Sequence, residues 1–248
     1  FVVFEKDHVD YLLHPRDKNT GLKLRLLPLT RSIIAEFIDS HQANYHNTLI
    51  EQHLKHPDGV RLMDTFVTYK GGEKTYFQRG ETAANVGREI GILYVHAHIR
   101  YIEAMAKLGR ADEAFEALFT INPILIKNHV KNAGLRQANT YFSSSDAAFL
   151  DRYEAKENFN LVKSGQVEVK AGWRLYSSGP GIYIHQMISH VFGIRYTHNR
   201  LILDPVLPDK LKGVEVLVRQ FNKNIRIKYS YKDHVSGVKI NGKLRPGF

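Results

Sequence analysis

Two short segments hold most of the chemistry open to this chain. The first runs from Trp173 to Ile188, where Ser177-Ser178-Gly179-Pro180-Gly181 reads as a tight turn feeding a helix. Pro180 suits the first helical position, because its missing N–H would have no partner there anyway. Ile184, Met187, Ile188 and Val191 then recur at helical spacing, and Gly193 offers a left-handed stop. Ser177, Ser178 and Gly179 therefore sit at the positive end of a helix, with unsatisfied backbone N–H groups and two hydroxyls. That combination suits phosphate. A plain cap by Ser178 or Gly179 fits the same residues, and the segment by itself leaves both readings open.

The second segment, Arg79 to Arg100, puts Glu81, Arg88, Glu89, His96, His98 and Arg100 on or beside one expected helix over about 85–108. Glu89 and His96 fall two turns apart on a shared face, with Arg88 beside them. These groups either line a cavity or form an exposed stripe with charge pairs along the helix. No metal site is expected, because the rings of His96 and His98 diverge at i,i+2 and no carboxylate spacing matches them. There is no Gly-x-Ser-x-Gly elbow, no phosphate loop of the Gly-x-x-x-x-Gly-Lys type and no dinucleotide fingerprint.

The elements that position these segments change character along the chain. Residues 1–30 are mixed, with turn signals at Pro15, Gly21 and Pro28. Ile33, Ile34, Phe37, Ile38, Tyr45, Leu49 and Ile50 predict a helix over about 32–54, stopped by Pro57-Asp58-Gly59. Residues 59–84 read as a Gly-punctuated loop, of a length that is often functional. The helix over 85–108, closed by Gly109, and another over about 112–121 form an αα-hairpin without a second copy. Residues 125–172 read as a long polar connection with short strands near 166–170. After the helix of 180–192 the period changes to two: strands are predicted at 194–197, 201–203, 214–221, 225–231 and 238–240, with Asn241-Gly242 as a hairpin turn.

Composition sets outer bounds. The 248 residues are 43% hydrophobic, enough for a substantial core. No apolar run is long enough for a membrane span, so no membrane partner is expected. The chain lacks cysteine, which removes disulfides, thiolate metal sites and a cysteine nucleophile and fits a reducing, cytoplasmic setting. It opens on Phe1, so a missing targeting segment says little. The net charge of +10 is scattered. Its densest stretch, Arg219 to Lys232, alternates with Ile225, Ile227, Tyr229 and Tyr231 as a half-solvated strand does, so nucleic acid is not expected as a partner.

Taken together, the two segments resemble the cellobiose phosphorylase family, glycoside hydrolase family 94. Gly87-Arg88-Glu89-Ile90-Gly91 through His96 resembles its basic-Glu-x-Gly-x-x-x-x-His signature. Gly172-Trp173-x-x-Tyr176-Ser177-Ser178-Gly179-x-Gly181 resembles its Gly-Trp-x-x-Tyr-Thr-Gly-Ser-x-Gly turn. Leu108-Gly109, the stretch from Ala114 to Pro123, and Phe192 to Pro208 follow in the family's order. Arg61-Leu62-Met63-Asp64, Glu81 to Glu89 and His96 to Ala104 resemble most the members acting on 1,2-β-oligoglucans of the sophorose series. The phosphorylase-like part of cyclic β-1,2-glucan synthases is a near alternative.

The resemblance implies an α+β chain: the C-terminal part of an (α/α)6 barrel over residues 1–192, then an incomplete antiparallel β-sandwich over 193–248. It implies an inverting phosphorylase that reversibly cleaves a β-glucosidic bond with inorganic phosphate to give α-glucose 1-phosphate, with phosphate as co-substrate and no cofactor. By the motifs, His96, Ser177 and Ser178 bind phosphate, and Arg88 and Glu89 contact sugar around the cleaved bond. Glu81 is a further sugar candidate, as are Asp64 and Tyr94, although each of these three also fits a helix-end or core role. The partners implied are a β-linked glucose disaccharide or oligosaccharide, phosphate, the upstream part of the same enzyme and a homodimer mate. The family's general acid is an aspartate in an Asp-Trp-Asn-Asp-like segment. Trp173 is the only tryptophan here, so the acid is expected upstream, and the chain reads as a C-terminal piece with half an active site. The rival readings are a helical interaction module and a glycan-binding domain without chemistry.

Overall fold

The computed structural model describes residues 2–5, 7–11, 14–18, 21–65, 93–122, 144–171, 178–198, 200–220, 222–230 and 237–246. It is an α+β chain of helices and small antiparallel sheets, and among the described residues the helices close no barrel. The chain divides into two compact units, Phe1–Val206 and Leu207–Phe248.

The first unit opens on a hairpin of β1 (Val2–Glu5) and β2 (His8–Tyr11). Helix α1 (Leu26–Ile34) follows. Pro28 is not a turn signal here but lies in its first turn, where no N–H is needed. The single helix expected over 32–54 is two helices. The chain leaves α1 through Glu36 in a left-handed conformation (φ 56°) and re-enters α2 (Ser40–Leu49) through a capping box. Asp39 accepts from the Gln42 N–H at 2.8 Å, and Gln42 Oε1 accepts from the Asp39 N–H at 3.3 Å. The last turn of this second stretch, Ile50–Leu54, widens to π geometry before the hairpin of β3 (Lys55–His56) and β4 (Gly59–Val60).

Helix α3 (Val95–Lys107) is shorter than expected, because Leu93–Tyr94 is a strand, β5. It pairs with β6 (Ser144–Ala147), which in turn pairs with β7 (Val169–Ala171). Helix α4 (Ala111–Thr120) completes the αα-hairpin, with Gly109 at φ 71° at the corner. Two short helices, α5 (Arg152–Glu157) and α6 (Phe159–Lys163), replace part of the polar connection. Asp151 caps α5 by accepting from the N–H groups of Tyr153 and Glu154, both at 2.9 Å.

Helix α7 (Ser178–Gln186) continues through a π turn, Met187–Val191, into Gly193. Gly193 sits at φ 64°, and a Cβ there would come within 2.0 Å of the Asp204 backbone. The left-handed stop is therefore also a close approach that only glycine permits. It leads into the hairpin of β8 (Ile194–Thr197) and β9 (Arg200–Leu203). The core of this unit lies among α1, α3 and α4, where Leu26, Ile33, Ile99, Ile102, Met105 and Leu118 are buried.

Among its described residues the second unit holds two hairpins. One is β10 (Glu215–Gln220) on β11 (Lys223–Lys228), the other β12 (Gly237–Ile240) on β13 (Lys243–Pro246). Asn241 and Gly242 take positive φ (50° and 79°) as the turn between β12 and β13. Ile227 and Tyr229 are buried while Arg226 and Lys228 are exposed, so this basic stretch is a half-solvated strand as its alternation indicates.

Candidate functional site

Of the residues that the motifs assign to phosphate or sugar, the structure describes His96 fully and Ser178 by its backbone. Arg88, Glu89, Glu81 and Ser177 lie outside the described residues. The expectation of Glu89 and His96 on one continuous helix is corrected, because the β5 pairing of Leu93–Tyr94 to Ser144–Ser145 interrupts it. His96 instead occupies the first turn of α3, and its ring stacks on that of Tyr94, with centroids 5.5 Å apart at 27°. The ring is half-buried. Burial first, and the positive charge of Arg100 one turn on, hold its pKa below the ordinary histidine value. The lowered value favours the neutral form of this imidazole.

Ser178 opens α7 in helical conformation. Helical φ is open to any L-residue, so the backbone at this position does not require the glycine that the resembling motif carries. With Pro180 lacking a donor, the N–H groups of Ser178, Gly179 and Gly181 have no acceptor within the helix. No described heavy atom lies within 4 Å of where a Gly181 Cβ would stand. His96 and Ser178 thus both occupy first turns, where the helix dipole favours an anion. The helices that carry them, α3 and α7, pack on each other.

The other candidates have structural work. Both nitrogens of His98, which is 1% exposed, are engaged: Nδ1 accepts from the Val60 N–H at 3.0 Å, and Nε2 donates to the Ala117 carbonyl at 2.9 Å. This ring ties the β3–β4 hairpin to α3 and α4. A Cβ on Gly59 would lie 2.9 Å from its Nδ1. Among the described residues no cluster of His, Asp or Glu forms a metal site. Asp64 is half-buried, and burial raises its carboxyl pKa, opposed by the Leu24 and Lys23 backbone. It accepts from the Lys23 N–H at 3.3 Å through either oxygen, as a loop brace does.

Two features of this region escape sequence reasoning. One is the polar content of two helices that pack on each other: on α3 Arg100 Nη1 meets Glu103 Oε2 at 2.6 Å, and on α7 and its π turn the rings of His185 and His190 stand 5.9 Å apart. The other is Gln186, wholly buried, with neither amide atom hydrogen-bonded among the described residues. Gln186→Met keeps the length and drops both desolvated atoms. It is expected to raise stability by about 1–2 kcal/mol, read as a higher melting temperature. A lower one would show that the amide has a bound water as partner.

No protein-family model matches the chain. It is 55% identical over 236 residues to the 1,2-beta-oligoglucan phosphorylase of Listeria innocua serovar 6a, a match covering 95% of this chain and 22% of that protein. It is 26% identical over 150 residues to the cyclic beta-(1,2)-glucan synthase NdvB of Rhizobium meliloti, covering 60% of this chain and 5% of that protein. The chain therefore spans about a fifth of the first relative and a twentieth of the second. Along nearly its whole length, the chain matches a part of a 1,2-beta-oligoglucan phosphorylase, as its motifs indicate.

Proposed function

We propose that this chain is the part of an inverting 1,2-β-oligoglucan phosphorylase that supplies the phosphate site and part of the sugar site. The observation that carries the reading is the identity to that phosphorylase along nearly the whole chain. The packing of α3, which bears His96, on α7, which begins at Ser178, supports it. Phosphate is held by the His96 ring, the Ser177 hydroxyl and the N–H groups at the mouth of α7. From there it attacks the anomeric carbon on the face opposite the leaving oxygen, giving α-glucose 1-phosphate. Phosphate is already a nucleophile, so this chain's contribution is placement and charge balance. Arg88, Glu89 and Glu81 hold the sugar on either side of the bond that breaks. The carboxylic acid that protonates the leaving oxygen belongs to polypeptide outside this chain. The helices form part of an (α/α)6 barrel over residues 1–192, and the strands of 193–248 belong to a β-sandwich.

The test titrates the isolated chain with inorganic phosphate while following the histidine ring resonances by NMR. Phosphate is expected to shift the His96 resonances and raise that ring's pKa. Both His96→Ala and Ser177→Ala should weaken binding by about tenfold or more, the worth of a hydrogen bond to a charged group. Phosphate that leaves the His96 ring unmoved in the wild-type chain overturns the phosphate site.

A further inference from the structure

The start of α3 is not held by a capping side chain, since Tyr94 makes no side-chain cap. It is held by His98, where the first turn closes. From there the ring reaches out of the helix in two directions: Nδ1 accepts from the Val60 N–H of β4 at 3.0 Å, and Nε2 donates to the Ala117 carbonyl of α4 at 2.9 Å. An amide N–H only donates and a carbonyl only accepts, so both bonds need the neutral ring with its proton on Nε2. The approach of β4 is close. Gly59 holds φ 136°, and a Cβ there would lie 2.8 Å from Leu93 Cδ1 of β5 and 2.9 Å from His98 Nδ1. Glycine thus lets β4 abut both the strand that leads into α3 and the ring itself. Val60, Leu93, Val95 and His98 are all buried, so this junction is shielded from bulk water. One turn on, the Tyr101 hydroxyl donates to Glu51 Oε1 at 2.8 Å, tying the same helix to the π turn ahead of β3. His96 stands on the turn so fixed, with its ring stacked on Tyr94.

We propose that His98 is a positioning residue of the anion site: its two ring hydrogen bonds fix the first turn of α3 against β4 and α4, and so fix where the His96 ring stands. The proposal rests on the reading of His96 as a phosphate contact. His98 does not hold phosphate itself, because both of its nitrogens are engaged and the ring is enclosed. A side chain without those bonds strands the Val60 N–H and the Ala117 carbonyl in the interior, and the turn shifts to relieve them. A displacement of about 1 Å at a positioned group costs up to about a hundredfold.

The experiment compares wild-type, His98→Leu and His98→Gln chains by titration with inorganic phosphate at neutral pH, with His96 ring resonances and melting temperature read on the same samples. Leu fills the space and drops both bonds, whereas Gln keeps an acceptor for Val60 and a donor for Ala117. Asp151→Ala, which removes the cap of α5, is the control for lost stability alone. H98L is expected to weaken phosphate binding about tenfold, and H98Q to restore it to within about threefold of wild type. The His96 ring shifts of the phosphate-free chain, set partly by the Tyr94 ring stacked on it, should move in H98L and return in H98Q. Asp151→Ala should melt lower and bind phosphate as wild type does. Binding within threefold of wild type in folded H98L, or equal losses in H98L and H98Q, overturns the positioning role and leaves the phosphate reading intact. A wild-type chain whose His96 resonances ignore phosphate overturns the phosphate reading and this proposal with it. Should H98L fail to fold, His98→Asn carries the test, since its shorter amide meets the Val60 N–H but falls short of the Ala117 carbonyl. Binding weakened more than threefold there supports the role, and a smaller change overturns it.

Discussion

Asp58→Ala is expected to destabilise the first unit by about 3–5 kcal/mol, the cost of removing one member of a buried ion pair. Asp58 is fully buried and Arg61 is 1% exposed, and Asp58 Oδ1 accepts from Nη2 of Arg61, at the other end of β4, at 2.9 Å. The backbone there is pinned as well, since Arg61 N donates to the Leu54 carbonyl at 2.8 Å. The guanidinium cannot lose its proton to escape, so its charge stays buried without the carboxylate that faces it. For a unit of this size the loss corresponds to a fall of about 10 °C in melting temperature. The double variant Asp58→Leu with Arg61→Met should recover most of that loss, because two apolar chains leave no charge to compensate. A single Asp58→Ala variant that melts within about 2 °C of wild type would show that Arg61 is balanced by other groups. Arg61 opens the Arg61-Leu62-Met63-Asp64 phrase that marks the 1,2-β-oligoglucan resemblance. Its burial gives that phrase a structural cause before any contact with sugar is invoked.

What the sequence could carry was local. Gly193, Gly109 and Asn241-Gly242 take the backbone conformations their residue types favour, and the hairpins around them follow. The αα-hairpin and the two-residue period after Gly193 are visible for the same reason. The break between α1 and α2 was hidden, because no Gly or Pro stands in Ala35–Asp39 and the apolar spacing runs on through Phe37, which proves 86% exposed. The Asp39-x-x-Gln42 capping box was a readable signal, and so was Asp151 ahead of Glu154 for α5. Strand β5 was not readable. Leu93–Tyr94 is extended because Ser144–Ser145 pairs with it, a partner fifty residues on that no local pattern names. The mouth of α7 was legible from Ser177 to Pro180 because a cap and an anion site need the same residues. That ambiguity is also why the sequence alone left it open.

Acid should weaken the first unit as pH falls below the ordinary histidine value. His98, completely enclosed, has its pKa lowered to about 4 by burial. His56 is lowered to about 4 as well, by burial first and then by the charge of Arg61, with its Nδ1 2.9 Å from the Leu54 carbonyl. Above pH 6.5, the ordinary histidine value, both rings are neutral whether the chain is folded or not, and they contribute no pH dependence. As pH falls from 6.5 toward 4, the unfolded chain binds protons that the folded chain refuses, so stability declines through that window. Each ring's depression of roughly 2.5 pH units, at about 1.4 kcal/mol per unit, removes about 3 kcal/mol by its lower end. Two such rings together are comparable to the whole stability of an ordinary domain. Urea midpoints measured from pH 7.5 to pH 4.5 should therefore fall steeply below about pH 6, with close to two protons taken up on unfolding. His98→Gln keeps a donor for the Ala117 carbonyl and an acceptor for the Val60 N–H but cannot bind the proton. Its proton uptake should drop by about one, even though replacing the ring lowers stability at neutral pH. An unchanged acid slope in that variant would mean that His98 is protonated in the folded chain, and that the bridge from β4 to α4 is not the neutral one described here.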